Sequence, residues 1–159
     1  MRLLMVCLGN ICRSPLAEGI MREKIKENGL DWEVDSAGTS SYHIGEKPDP
    51  RSIETADLNG IDIRGQRARQ FKRIDFDLFD KIYVMDNSNY SDIASMTDNQ
   101  KHLEKVKLIL EEGYPGENRE VPDPYWNNRF SDVFQMLDHS CEQIVLKNLK
   151  KTNYDFQRN

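Results

Sequence analysis

Arg2-Leu3-Leu4-Met5-Val6-Cys7-Leu8-Gly9-Asn10-Ile11-Cys12-Arg13-Ser14-Pro15 begins as an apolar run, breaks at a Gly-Asn pair and continues in a different rhythm. Arg2 to Val6 reads as a short buried strand. From Pro15 to Lys26 the apolar residues Leu16, Ala17, Ile20, Met21 and Ile25 fall at helical spacing. Ser14 followed by Pro15 suits a helix start, Glu18 lies where a carboxylate complements the positive helix end, and Asn28-Gly29 closes the segment. A strand running through a tight loop into a helix is the unit of a doubly wound α/β sheet, whose ligands bind beyond the C-terminal ends of the strands.

Further along the chain the alternation recurs. Trp32 to Ser36 predicts a second strand, and Ala37-Gly38-Thr39-Ser40-Ser41 a polar loop ending near Tyr42. A helix over Pro50 to Asn59 is stopped by Gly60. Lys81 to Met85 is the third strand, with Asp86-Asn87 as an exit that caps a helix beginning near Ser88. Val106 to Leu110 is a fourth strand, Glu111 to Pro122 a loop, and Phe130 to Leu149 a long amphipathic helix. Four alternations make one α/β domain over residues 1–159, with helices on both faces of a parallel sheet.

Composition narrows the function. A chain of 159 residues buries a core without metals or disulfides. A net charge of −5 argues against a nucleic-acid partner, so any anion site must be local. The N-terminal apolar run is too short for a secretory leader, and no stretch reaches the roughly 20 apolar residues of a membrane span. These features predict a cytoplasmic protein without a membrane partner. Cys7, Cys12 and Cys141 are an odd number with no zinc spacing, so neither metal nor cofactor is expected. Cys141 falls on the apolar face of the last helix, and His43, His102 and His139 read as surface or structural residues.

The chemistry concentrates in Cys7 to Ser14, comprising Leu8, Gly9, Asn10, Ile11, Cys12 and Arg13 between them. A tight loop before a helix N-terminus aims backbone amides at an anion, and Gly9 and Asn10 tolerate left-handed conformations. Arg13 adds a planar fork that pairs with two phosphate oxygens and keeps its charge. Amide dipoles and a guanidinium favour a thiolate at Cys7, a nucleophile that takes a phosphoryl group without a metal. Ser14 can donate to that sulfur. Taken alone, Cys7 would be a buried thiol at a strand end; its spacing to Arg13 and the helix start favours the nucleophile.

Cys-Leu-Gly-Asn-Ile-Cys-Arg-Ser-Pro, Asp35-Ser36-Ala37-Gly38-Thr39, Pro48-Asp49-Pro50-Arg51, Arg67-Ala68-Arg69-Gln70, Met85-Asp86 and Asp123-Pro124-Tyr125 together resemble the low-molecular-weight protein-tyrosine phosphatase family, nearly end to end. The resemblance implies a four-stranded parallel sheet of order 2-1-3-4 and hydrolysis of protein phosphotyrosine through a phosphocysteine on Cys7. It implies that inorganic phosphate and similar oxyanions compete for the loop. Likeness to the Asp-Pro motif makes Asp123 the general acid, although an Asp-Pro pair also commonly initiates a turn. Tyr42, Tyr125 and Trp126 would form an aromatic rim, with packing against neighbouring loops the alternative for Trp126. Ser36 and Asn10 resemble residues that brace the loop, and Asp86 would cap the next helix or support the site. Gln66 stands where many relatives carry a loop-supporting His, and Gln cannot titrate. The family also suggests Cys12 as a reversible disulfide partner of Cys7.

Two other functions use the same loop. A thiol-dependent arsenate reductase needs further cysteines to relay a disulfide, and Met85 to Ser95 contains none. A non-catalytic phosphotyrosine-binding module would have no need of Cys7, Arg13 and Asp123 together.

Overall fold

Leu3, Leu4, Met5 and Val6 are fully buried, as befits a strand covered on both faces. The computed structural model describes the backbone of residues 1–156 and the side chains of residues 1–151. In chain order the elements are β1 (Arg2–Cys7), α1 (Arg13–Glu27), β2 (Glu33–Gly38), α2 (Pro50–Leu58), α3 (Asp75–Leu78) and β3 (Lys81–Val84). There follow α4 (Asn87–Ala94), α5 (Gln100–Leu103), β4 (Val106–Leu108), α6 (Leu110–Gly113), α7 (Pro124–Asn127) and α8 (Phe130–Phe156). The sheet is parallel with order β2-β1-β3-β4. Strand periodicity divides the core: Leu3, Met5 and Cys7 pack with α1 and α8, whereas Leu4 and Val6 pack with Phe71, Phe76, Phe79 and Ile93.

Several boundaries differ from those expected. β2 begins at Glu33 rather than Trp32 and continues past Ser36 through Ala37 and Gly38, which pair with Val6 and Cys7. β1 likewise runs on to Cys7. The fourth strand ends at Leu108, and α6 forms where a loop over Glu111 to Pro122 was expected. The helix after the loop starts at Arg13, and Ser14 supplies no cap because its hydroxyl is engaged with Cys7. α8 extends beyond Leu149 to Phe156.

This register brings the C-terminal ends of β1 and β2 level, with Cys7 opposite Gly38. Val6 pairs with Val84 of β3, two residues before Asp86. The loops leaving β1, β2 and β3 therefore meet at one edge of the sheet.

Candidate active site

The loop from Cys7 to Arg13 is shaped by bonds to its outer side. Cys7 and Leu8 carbonyls accept from the Thr39 and Ser40 amides, both at 2.9 Å. The Ile11 carbonyl accepts from the Asp49 amide at 2.8 Å, and the Cys12 carbonyl from the Ser52 hydroxyl at 3.3 Å. No peptide bond among the described residues is cis, and across a trans peptide the following N–H points opposite to the carbonyl. The N–H groups of Leu8, Gly9, Cys12 and Arg13 are thereby turned inward, forming a concave donor surface for an anion.

Asn10 holds the bend. Its φ of 57° is left-handed, and its side chain is fully engaged. Oδ1 accepts from the Arg69 amide at 3.0 Å, while Nδ2 donates to Ser14 Oγ at 2.8 Å and Ser36 Oγ at 2.9 Å. Ser36 in turn donates to Glu18 Oε2 at 2.5 Å, and Arg22 donates to the other oxygen of Glu18. Both Asn10 protons go to serine oxygens, and the Ser14 hydroxyl stands 3.0 Å from Cys7 Sγ, within hydrogen-bond reach of it. The Asn10 amide approaches the same sulfur at 3.3 Å. Burial raises the Glu18 carboxyl above its ordinary value, with Ser36 and Arg22 opposing.

Arg13 is buried, and its Nη1 donates to Asp86 Oδ2 at 2.7 Å and the Val121 carbonyl at 3.1 Å. Its Nη2 lies 3.6 Å from Asp123 Oδ2. Burial disfavours the guanidinium charge, but Cys7, Asp86 and Asp123 outweigh it and hold Arg13 above the ordinary arginine value. Asp123 caps α7 through Oδ1, which accepts from the Tyr125 amide at 3.1 Å. Its second oxygen faces the loop. Cys12 is different in kind: burial, then Asp49, Cys7 and Asp123, push its thiol up to about 12, so it is protonated at neutral pH.

A cavity of about 280 Å³ stands over Cys7 and Arg13, with Asp123 at its wall. Tyr42, Tyr125 and Trp126 line it with Leu8 and Ile11. Tyr42 and Trp126 are about four-fifths exposed, and Tyr125 meets Trp126 edge-on at 4.9 Å. His43 also lines this cavity, against the expectation of a surface or structural residue. Its ring lies beside Gly9, and Nδ1 pairs with Glu46 at 2.7 Å. Its neighbour Tyr42 was the available signal. His102 is buried between Thr97 and Asp77 and stacks on Phe76, while His139 contacts the Gly113 carbonyl.

Gln66 lies farther back. Its Nε2 donates to the Pro15 carbonyl at 3.0 Å in the first turn of α1, and its buried Oε1 has no hydrogen-bond partner among the described residues. Two contributors lie in motif segments quoted above, but their roles could not be read there. The Arg69 amide fixes Asn10, and Arg51 braces the segment bearing Asp123.

A family model described as low molecular weight phosphotyrosine protein phosphatase matches residues 2–155. The chain belongs to that family. A phosphatase of this name from Schizosaccharomyces pombe is 40% identical, over 93% of this chain and 96% of its own. A crystal structure of an Entamoeba histolytica protein tyrosine phosphatase with Hepes in its active site superposes with a TM-score of 0.88. It is 35% identical, covering 96% of this chain and 99% of its own. A Drosophila arginine phosphatase superposes with a TM-score of 0.86 at 30% identity, covering 93% and 98%. No helix among the described residues is long and apolar enough to cross a membrane.

Proposed function

We propose that this chain hydrolyses phosphotyrosine in proteins, and small aryl phosphates, through a phosphocysteine on Cys7. The reading rests on one observation: Cys7, Arg13 and Asp123 border a single cavity whose remaining wall is largely aromatic and aliphatic. The phosphoryl group sits in the donor surface of residues 8–13, with the Arg13 fork on two of its oxygens. Cys7 Sγ attacks phosphorus in line with the ester oxygen, and an S–P bond forms as the P–O bond breaks. Asp123, protonated at this stage, gives its proton to the leaving phenolate. As a carboxylate it then removes a proton from water, whose oxygen attacks phosphorus and returns the electron pair of the S–P bond to Cys7. Phosphate leaves, and phosphate and similar oxyanions compete for the same donors.

An aryl ring suits the apolar wall, and a ring reaches farther from a deep loop than a serine side chain. Ser36 and Asn10 keep the loop in shape. Gln66 supports it indirectly through the Pro15 carbonyl. Cys12 lines the same cavity as Cys7. With peroxide as oxidant, Cys7 becomes a sulfenic acid, and the Cys12 thiol condenses with it to a disulfide, releasing water.

The test is metal-free hydrolysis of an aryl phosphate and a phosphotyrosine peptide. Cys7→Ser should abolish turnover, and activity surviving it overturns the mechanism. Asp123→Ala should slow esters of poor leaving groups far more than those of good ones, and equal losses remove Asp123 as the acid. A phosphoarginine peptide turned over faster than the phosphotyrosine peptide would reassign the substrate.

A further inference from the structure

A second cavity, of about 810 Å³, opens beside β3, β4 and α8. Lys81 begins β3 and pairs with Leu3, whereas Cys7 stands at the other end of β1, so this cleft lies at the opposite end of the sheet from the phosphate loop. Among the described residues, seven lysines line it against three carboxylates, within a chain of net charge −5. Such a concentration of like charge is unfavourable unless something neutralises it.

The carboxylate at its floor is already engaged. Glu112 Oε1 accepts from the Tyr83 hydroxyl at 3.1 Å and Lys107 at 3.2 Å, and Oε2 accepts from Lys147 at 2.8 Å. Lys105 turns away, donating to the Phe76 and Phe79 carbonyls. Lys81 is half-buried, and its side-chain ammonium has no hydrogen-bond or ion-pair partner among the described residues. Burial, together with repulsion from Lys151, Lys107 and Lys147, holds it below the ordinary lysine value despite Glu112.

We propose that this cleft is a second binding site, distinct from the catalytic pocket, for a short polyphosphate chain held by Lys81, Lys107, Lys147, Lys150 and Lys151. Ammonium groups bind phosphate as mobile point charges, and several phosphoryl groups in a row neutralise several of them at once. A single tetrahedral oxyanion does not span a cleft of this volume. An acidic peptide would bring its carboxylates on a flexible chain that must be ordered on binding, a cost that a compact phosphate chain largely avoids.

The test is amide NMR titration of the full chain carrying Cys7→Ser with sodium tripolyphosphate. Saturable shifts at Lys81, Tyr83, Lys107, Glu112 and Lys147 are expected, whereas orthophosphate should move residues 7–14. The double substitution Lys81→Gln with Lys107→Gln should weaken tripolyphosphate at the cleft by about tenfold or more, with the thermal transition of the variant showing that it remains folded. Tripolyphosphate shifts confined to residues 7–14, or undiminished affinity in the folded variant, overturn the site. Displacement by poly-glutamate at equal charge overturns the ligand class and assigns the surface to acidic protein segments.

Discussion

Asp86 uses its two oxygens for different tasks. Oδ1 caps α4 by accepting from the Asn89 amide at 2.8 Å, and Oδ2 holds Arg13 at 2.7 Å. Asp86→Asn keeps an acceptor for the cap but removes the charge that orients the guanidinium. The KM for an aryl phosphate and the inhibition constant of orthophosphate should both rise about tenfold, while leaving-group dependence stays as it was. An unchanged orthophosphate constant would show that Arg13 is oriented without it. The Cys7 and Arg13 pairing was legible because both residues lie on one short loop, where spacing is geometry. The reach from Asp86 to Arg13 depends on β1 and β3 being neighbours, which spacing cannot encode. His43 was passed over for a similar reason: its place in the cavity wall depends on how the segment after β2 folds back over Gly9.

Between elements, the approach of β2 to the phosphate loop sets a narrow tolerance. A Cβ on Gly38 would stand 2.8 Å from the Leu8 carbonyl oxygen and 3.1 Å from the Asn10 nitrogen, both backbone atoms that cannot swing away. Gly38→Ala should therefore displace the loop, lowering thermal stability by about 2 kcal/mol and activity by more than tenfold; a variant of normal activity would show that β2 yields instead. A second junction holds the segment that carries Asp123, the proposed acid. Arg51 donates from Nε and Nη2 to Asp49, and from Nη1 to the Tyr125 carbonyl and Asn128 Oδ1. It also lies over the Tyr125 and Phe130 rings. Arg51→Met should free α7, reducing kcat about tenfold for poor leaving groups and less for good ones, with orthophosphate inhibition unchanged. Uniform loss across leaving groups would exclude a role in placing Asp123. The principal strands and long helices were legible from periodicity, but α3, α5, α6 and α7 span four residues each, too few for a period to register. Their turns are closed by short local bonds, as when Asp123 accepts from the Tyr125 amide at the start of α7. The polar run Thr39-Ser40-Ser41 likewise drew Ala37 and Gly38 into an expected loop, although both pair in the sheet with Val6 and Cys7.

For the molecule as a whole, two buried glutamates on opposite sides of the chain's function give stability an opposing dependence on pH. Burial works against ionising Glu112, but Lys147 and Lys107 outweigh it and lower its carboxyl below the ordinary value. An acid lowered in the folded state contributes stability that is present above its unfolded value and is lost as pH falls through the folded one. Glu18 is raised, chiefly by burial, so its contribution is complete below the unfolded value and is lost as pH rises through the folded one. Thermal unfolding from about pH 4 to about pH 9 separates the two. At neutral pH Glu112→Gln should cost about 2 kcal/mol, a figure held down because Lys107 and Lys147 are about half exposed, and its deficit should shrink on acidification. Glu18→Gln keeps an acceptor for Ser36 but loses its pairing with Arg22, so its stability relative to the wild type should improve steadily as pH rises from the ordinary carboxyl range. Parallel curves for the three proteins would show that neither carboxylate couples protonation to folding. The Glu112 variant also reports on the lysine cleft: removing that negative charge should tighten tripolyphosphate binding there, whereas the Glu18 variant, behind the catalytic loop, should leave it unchanged.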